Sequence, residues 1–354
     1  MNWVGPSRAP ALAVLCAYCF VPSVFTLAPA TVSQPAPSPG RVELLRSVNA
    51  LPPEIVGRFR EPMAFEQIPD GPYYVFDRRG HSVHTVDERG TSVRTLVEIG
   101  GEEGRLLEPS AFDVAPDGSF AVADAPGGRE RIQIFGPAGL RIGGFLRPGR
   151  PPARVAIGSL VLSGVGSLVF TGRSVILSEP DSGWLLTEYA LRGTPLRSMG
   201  LLRPTGQEAD REVHFALNAG LPLPTPDGGF LFVFLAGRPA FRKYSAKGEL
   251  LFERAIQGRE IDPVIAAMPD RWPRRATGGR ESPLVYPVVR TAAVDPEGRL
   301  WVSFVQPVTY VYDRDGEKVR TVQFRAAGQL APSSLSFPGG RRVLVTPGCY
   351  EFAY

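Results

Sequence analysis

Lysine, histidine and cysteine are all scarce in this chain. Of the 354 residues 39 are basic, but only three of these are lysines (Lys243, Lys247 and Lys318), so the basic residues are nearly all arginines. The arginines are scattered among 35 acids, and the net charge is only +4. No continuous basic stripe is present that would follow a phosphate backbone. We therefore expect no nucleic-acid partner.

The few cysteines and histidines exclude two other classes of protein. Cys16 and Cys19 lie in an N-terminal apolar run, which leaves Cys349 without an intramolecular partner, so the fold is not stapled by disulfides. His81 and His84 are three residues apart on or beside a predicted strand and point to opposite faces, so they are poorly placed to chelate one ion. We predict neither a bound metal nor a cofactor.

Long apolar runs are missing after the N-terminus. The single such run extends from Ala11 to Leu27 and is broken by Pro22, and Ala28 and Ala30 place small residues where a signal peptidase cleaves. We predict a signal peptide over residues 1–30, a Pro/Ser-rich tether over 31–40, and export to the periplasm or the extracellular space. The alternative is an uncleaved N-terminal membrane anchor.

Glycine and proline, in contrast, are abundant, with 39 and 36 residues. Many of them recur at the turns of a repeat. Its two clearest copies read EPMAFEQIPDGPYYVFD (61–77) and EPSAFDVAPDGSFAVAD (108–124). Each copy has a short apolar strand, a Pro-Asp-Gly turn and a second apolar strand, and two further strands joined by a Gly turn follow. Asp-Gly between apolar runs is a strong hairpin signal. The pattern predicts antiparallel units of four strands.

The turn glycines keep a nearly constant spacing within each unit. Between the first and second turn of a unit the intervals are 19, 21, 21, 20 and 18 residues. The first turns centre on Gly71, Gly118, Gly172, Gly228, Gly298 and Gly340, and the second turns on Gly90, Gly139, Gly193, Gly248 and Gly316. Fixed units separated by variable links are typical of repeat folds.

The last unit has room for only three strands. We expect residues 41–47 (RVELLRS) to supply its fourth strand and to close the ring, because an open sheet edge invites aggregation. The predicted fold is an all-β, six-bladed β-propeller of four-stranded antiparallel blades over residues 41–354, monomeric, with the last blade closed by the N-terminal strand.

The second unit resembles the repeat of NHL-type propellers. The residues that carry the resemblance are Pro109, Pro116-Asp117-Gly118, Val122-Ala123-Asp124 and Arg131-Ile132-Gln133-Ile134-Phe135. The resemblance implies a six-bladed ring and an ion pair or hydrogen bond between Asp124 and Arg131. It implies little about activity, because this fold carries binding modules, scaffolds and hydrolases alike.

The positions of the longest loops indicate which face of the ring binds a partner. The predicted insertions, residues 201–214 and 257–284, both fall on the face that carries the links between blades. The candidate binding residues there are Arg271, Trp272, Arg274, Arg275 and His214. Arginine and tryptophan favour binding hot spots. We predict a binding or scaffold module for a peptide, a protein or an envelope polymer, although the tryptophan also fits a loop residue that merely packs on a blade.

The alternative function is a metal-dependent hydrolase or lactonase that uses the central channel. Gluconolactonase-like and regucalcin-like propellers hold a divalent metal there, and calcium would be the natural ion for a carboxylate site. Glu66, Asp113 and Asp295 end or nearly end inner strands and are the candidate ligands, although Asp113 and Asp295 also precede tight turns. No other motif indicates catalysis, so the sequence favours a protein that is not an enzyme.

Overall fold

The computed structural model describes residues 42–147, 153–157, 160–163, 167–277 and 280–354. The predicted signal peptide (1–30) and tether (31–40) lie outside these residues. None of the helices in the described ranges is long and apolar enough to cross a membrane.

Four antiparallel sheets of four strands each follow the predicted units. In each sheet the strands are neighbours in the order of the chain, which is the simple meander that the turn spacing predicts. The first sheet consists of β2 Pro62–Gln67, β3 Tyr73–Asp77, β4 Ser82–Val86 and β5 Val93–Val97, and the second of β6 Ala111–Val114, β7 Phe120–Asp124, β8 Arg131–Phe135 and β9 Arg141–Leu146. The third sheet consists of β12 Leu168–Phe170, β13 Ser174–Ser178, β14 Trp184–Ala190 and β15 Pro195–Leu201. The fourth consists of β16 Gly220–Pro224, β17 Phe230–Phe234, β18 Ala240–Tyr244 and β19 Leu250–Ala255.

The remaining units form one nine-stranded sheet. It comprises β22 Val289–Val294, β23 Leu300–Phe304, β24 Thr309–Tyr312, β25 Lys318–Arg325, β26 Gln329–Leu330, β27 Ser334–Gly339, β28 Arg342–Thr346, β29 Tyr350–Ala353 and the N-terminal strand β1 Val42–Ala50. β1 lies between β25 and β29. Its first half pairs parallel with β25, from Val42 opposite Thr321 to Arg46 opposite Arg325. Its second half pairs antiparallel with β29, from Ser47 opposite Phe352 to Ala50 opposite Tyr350. The N-terminal strand thus joins the last unit, but through residues 47–50, whereas most of the predicted segment 41–47 pairs with β25.

The core lies between successive sheets. Alternate residues of a strand face the preceding and the following sheet, as the period of two requires. In β6, Ala111 packs toward the third sheet and Phe112 toward the first. Phe112 stacks on Phe76 with ring centroids 5.5 Å apart. Successive sheets thus pack face to face around the core, as the blades of a propeller do. Since nearly all elements are strands, the fold is all-β and propeller-like.

The turns have the chemistry that the sequence predicts. Ten of the eleven predicted turn glycines adopt positive φ, and at the remaining turn Asp70 takes that conformation in place of Gly71, with φ 48°. The buried pair between Asp124 and Arg131 is also confirmed: Arg131 Nε lies 2.7 Å from one carboxylate oxygen and a terminal nitrogen 2.9 Å from the other.

Short 3-10 helices, Pro126–Gly128 and Pro180–Ser182, follow the second strand of the second and third sheets, and the links between sheets carry the α-helices and two further hairpins. These are α1 Pro53–Val56, hairpin β10 Ala153–Ile157 with β11 Leu160–Ser163, α2 Arg211–Asn218, α3 Asp262–Ala266 and hairpin β20 Arg274–Thr277 with β21 Arg280–Pro283. All of them precede the first strand of a sheet, so they lie at the end of the ring where first strands begin. We call this end the insert face.

Candidate binding site

A cavity of about 260 Å³ opens where the first strands of the units converge. Each first strand contributes to its wall, with Ala64 of β2, Ala111 of β6, Leu168 of β12, Leu221 of β16, Val289 of β22 and Ser334 of β27. The wall is mostly apolar. Because these residues lie early in their strands, the cavity forms the end of the central channel on the insert face.

Glu66, near the end of β2, puts a carboxyl group into this cavity. No hydrogen bond or ion pair from the described residues reaches that carboxyl. Burial raises the pKa of Glu66 well above its usual value, and the nearby carboxyl of Asp113 raises it further. A carboxyl group in such a place favours its neutral, protonated form.

Asp113 occupies in the second unit the position of Glu66 in the first, since the two repeats read MAFE and SAFD. Its Oδ2 accepts a hydrogen bond of 2.6 Å from the backbone N–H of Phe170, on the first strand of the next sheet. Burial raises the pKa of Asp113 to about 7, although the backbone N–H groups of Phe170 and Val114 act against the shift. The structure thus brings together two of the three candidate channel carboxylates.

Asp295 is placed differently from these two. It is the first residue of the turn after β22, and its carboxylate accepts hydrogen bonds from the Arg299 backbone N–H at 2.8 Å and from Trp301 Nε1 at 2.8 Å. The Arg299 guanidinium adds an ion pair of 2.7 Å. These contacts use the carboxylate to shape the turn. Within the described residues no group of three or more histidine, cysteine, aspartate or glutamate side chains is placed to hold a metal ion.

Two arginines lie at the wall of the cavity, and they differ in whether an acid pairs with them. Arg78 makes a double hydrogen bond to Glu61, at 3.0 and 2.6 Å, and its charge is compensated. Arg290, the second residue of β22, donates a hydrogen bond of 2.9 Å to Ser333 Oγ. No carboxylate of the described ranges lies within ion-pair distance of Arg290, and its burial lowers the pKa of the guanidinium.

The predicted insert cluster is partly assembled around α2. Trp272 is half-buried and packs against a small apolar cluster that includes Val213 and Leu217 of α2. Arg274 reaches the start of the same helix, at 2.6 Å from Asp210 and 3.1 Å from Glu212. Trp272 and Arg274 therefore dock the 257–284 insert onto the 201–214 insert.

The other predicted residues are distributed around this docking contact. His214 lies on α2, with Nδ1 2.7 Å from Thr205 Oγ1. Arg271 and Arg275 are exposed. The insert cluster lies next to the cavity, because Ala219, the residue directly after α2, lines the cavity.

Sequence reasoning missed two features of this face. The β10–β11 hairpin lies in the link before β12, where the apolar residues of VAIGSLVLS on either side of Gly-Ser were the available signal. Arg290 was missed because nothing in its local sequence separates it from the other arginines. Arg290 stands out because no acid of the described part of the chain lies next to it, and that depends on tertiary structure.

Comparisons with known proteins give fold-level likenesses alone. No protein-family model matches the chain, and no curated protein matches it. Among solved structures, a streptogramin B lyase structure is similar with 12% identity over 82% of this chain and 92% of that chain, at a TM-score of 0.48. A virginiamycin B lyase from Staphylococcus aureus is similar with 9% identity over 86% and 87%, at 0.45. A protein of unknown function from Bacteroides caccae has 13% identity over 74% and 81%, also at 0.45. At these identities no activity or residue role transfers to this chain.

Proposed function

We propose that this chain is a binding module that takes the apolar part of a ligand into the cavity on the insert face. One observation carries the proposal: an open, mostly apolar cavity lies at the convergence of the first strands, on the face that holds the inserted helices and hairpins. An apolar pocket with a few convergent polar groups is the usual form of a ligand site. The partner we favour is a peptide, a protein segment or an envelope polymer.

The test of this role is to fill the cavity mouth. Val305 lines the cavity and is 37% exposed, so Val305→Trp adds a ring there without disturbing the core. The matched control is Leu140→Trp, at an exposed turn residue on the opposite end of the strands, where Leu140 is 73% exposed. An environment-sensitive anilinonaphthalene dye should bind the parent chain and the control with similar affinity and should lose binding in Val305→Trp. Equal dye binding by both variants would refute the cavity as the site.

We further propose that the ring has six blades of NHL type. The nine-stranded sheet divides naturally into a fifth blade, β22–β25, and a sixth formed by β27–β29 with β1. The repeat residues around Asp124 and Arg131, together with the constant turn spacing, support this division. Export with cleavage after Ala30 and a monomeric state are parts of the same proposal.

A metal-dependent hydrolase or lactonase is the second candidate, and the closeness of Glu66 and Asp113 is the observation in its favour. Against it, the carboxylate of Asp295 is held in its turn by hydrogen bonds from Arg299 and Trp301. A metal analysis separates the two functions. Stoichiometric calcium or zinc in the purified chain, lost in Asp113→Asn, would favour the hydrolase.

A further inference from the structure

The charges around the cavity are not balanced. Arg78 is compensated by Glu61, and the two carboxyl groups of Glu66 and Asp113 act on each other and favour retention of a proton between them. Arg290 keeps its positive charge at neutral pH, and no described acid pairs with it. The Arg290 side chain is exposed at the cavity wall, so a ligand can reach it, and a ligand with a negative group would gain a charge-assisted hydrogen bond there.

The geometry at Arg290 suits a small anion. The contact with Ser333 Oγ occupies one terminal nitrogen and orients the guanidinium, while no described residue accepts a hydrogen bond from its other N–H groups. A planar guanidinium offers a carboxylate two parallel hydrogen bonds. A single cation without a described acid as partner matches a ligand that carries one negative charge.

We infer that the ligand of this cavity is an amphiphilic monocarboxylate, whose apolar body fills the channel mouth and whose carboxylate is held by Arg290. This inference rests on the proposed binding function and adds the chemical class of the ligand. An acyl chain and the C-terminal residue of an apolar peptide share this chemistry, and the experiment below distinguishes them.

The experiment measures the affinity of the full-length chain for three probes with the same apolar body, octanoate, octan-1-ol and octylamine, by titration calorimetry at pH 7.5. Octanoate should bind tightest. A hydrogen-bonded charge contact is worth about 1.5–3 kcal/mol, so Arg290→Gln should weaken octanoate roughly tenfold to a hundredfold and leave octan-1-ol unchanged. Arg290→Lys should retain part of the preference.

Two controls isolate the uncompensated charge. Arg173→Gln changes an exposed arginine in the turn between β12 and β13, far from the cavity mouth, and should leave octanoate binding unchanged. The second control, Arg141→Gln, removes an arginine that is already paired with an acid, Glu103, and that does not line the cavity, so it should also preserve the preference. A second titration compares octanoate with N-acetyl-Leu-Leu bearing a free carboxylate, and the tighter probe identifies the source.

The outcomes separate the inference from the function on which it rests. If octan-1-ol binds as tightly as octanoate, or Arg290→Gln has no effect on octanoate, the monocarboxylate inference is wrong while the binding function stands. Preference for octylamine would also overturn it and would point to Glu66 as the recognition group. If no probe binds to the parent chain, the proposed function itself fails.

Discussion

Glu43 and Arg320 form a double hydrogen bond across 277 positions of the chain, with Nε–Oε2 at 2.9 Å and Nη2–Oε1 at 2.7 Å. The pair joins β1 to β25. Beside it Leu45 of β1 is buried at 7% exposure among residues such as Trp301 and Phe352. The N-terminal strand is thus fixed to the end of the ring by pairing, charge and apolar packing together.

Deletion of residues 41–47 should lower the melting temperature strongly, because β25 then loses all of its pairing with β1 and β29 loses the partner of Phe352. The matched control is deletion of the predicted tether, 31–40, which should leave the melting temperature nearly unchanged. Two point variants divide the effect. Leu45→Ala should cost about 2–4 kcal/mol, while Glu43→Gln should cost at most about 1 kcal/mol, because the Glu43 side chain is partly exposed, at 43%, and water screens the ion pair. Equal melting temperatures for the two deletions would contradict the closure by β1.

Stability should fall as pH rises through neutrality. Asp113 has a pKa near 7 in the folded chain instead of its usual 3.8, so between about pH 4 and 7 the folded state binds more protons than the unfolded state. The stabilising effect is complete below pH 4 and is lost as the pH passes 7. In Asp113→Asn the loss of unfolding free energy between pH 5 and pH 8 should be smaller by about 2 kcal/mol, measured by urea denaturation.

The control for this titration is Asp117→Asn in the adjacent turn. Hydrogen bonds from the Ser119 hydroxyl and backbone N–H lower the pKa of Asp117, so its transition lies below pH 4. This variant should therefore show the parental difference between pH 5 and pH 8. An unchanged pH dependence in Asp113→Asn would show that Asp113 is ionised throughout the range.

Arg131 should be among the most sensitive positions of the chain. Besides its two contacts with Asp124, it donates to the backbone carbonyls of Gly101, Glu102 and Arg105, which fixes the link before β6. Arg131→Met would leave a fully buried carboxylate uncompensated, at a cost of about 3–5 kcal/mol. Arg141→Met, which removes a contact with the exposed Glu103, should cost less than about 1 kcal/mol. Similar losses for both variants would contradict the structural role of Asp124.

Trp272 and Arg271 are adjacent in sequence but should respond differently. Trp272→Ala removes the ring that packs on α2 and should lower stability by about 2 kcal/mol, less than for a fully buried tryptophan. Arg271→Ala should change stability by less than about 0.5 kcal/mol, as for exposed sites generally. Thermal denaturation of both variants decides the matter. If Trp272→Ala is neutral for stability but impairs ligand binding, the ring belongs to the binding surface.

Protein purified from its natural source should begin at or near Thr31, because the small residues Ala28 and Ala30 suit cleavage after Ala30. N-terminal sequencing of the purified protein tests this directly. Recovery of an intact N-terminus in the membrane fraction would replace export by the anchored alternative.

The repeat made most of the fold predictable. Period-two strands and Gly turns are local signals, so the units and their order could be inferred from sequence, and the pair between Asp124 and Arg131 was implied by the resemblance to the NHL-type repeat. The parallel pairing of β1 with β25 could not, because it depends on how two units meet. The place of Asp295 before a tight turn was visible in the sequence, but the convergence of Arg299 and Trp301 on its carboxylate was not, because that contact requires the folded turn. The importance of Arg290 likewise depends on which acids the fold keeps away from it.

The position of β1 has a consequence for the order of folding. Both of its partner strands, β25 and β29, are synthesised at the far end of the chain. The first strand to be made therefore stays unpaired until nearly the whole sequence is available, and the final pairing has a very high contact order. The preceding units are able to form their meanders in sequence, but the last sheet completes only when the ends of the domain meet. We therefore expect closure by β1 to be the slow step of folding and the interval before it to be when the chain is most exposed to aggregation or to a chaperone.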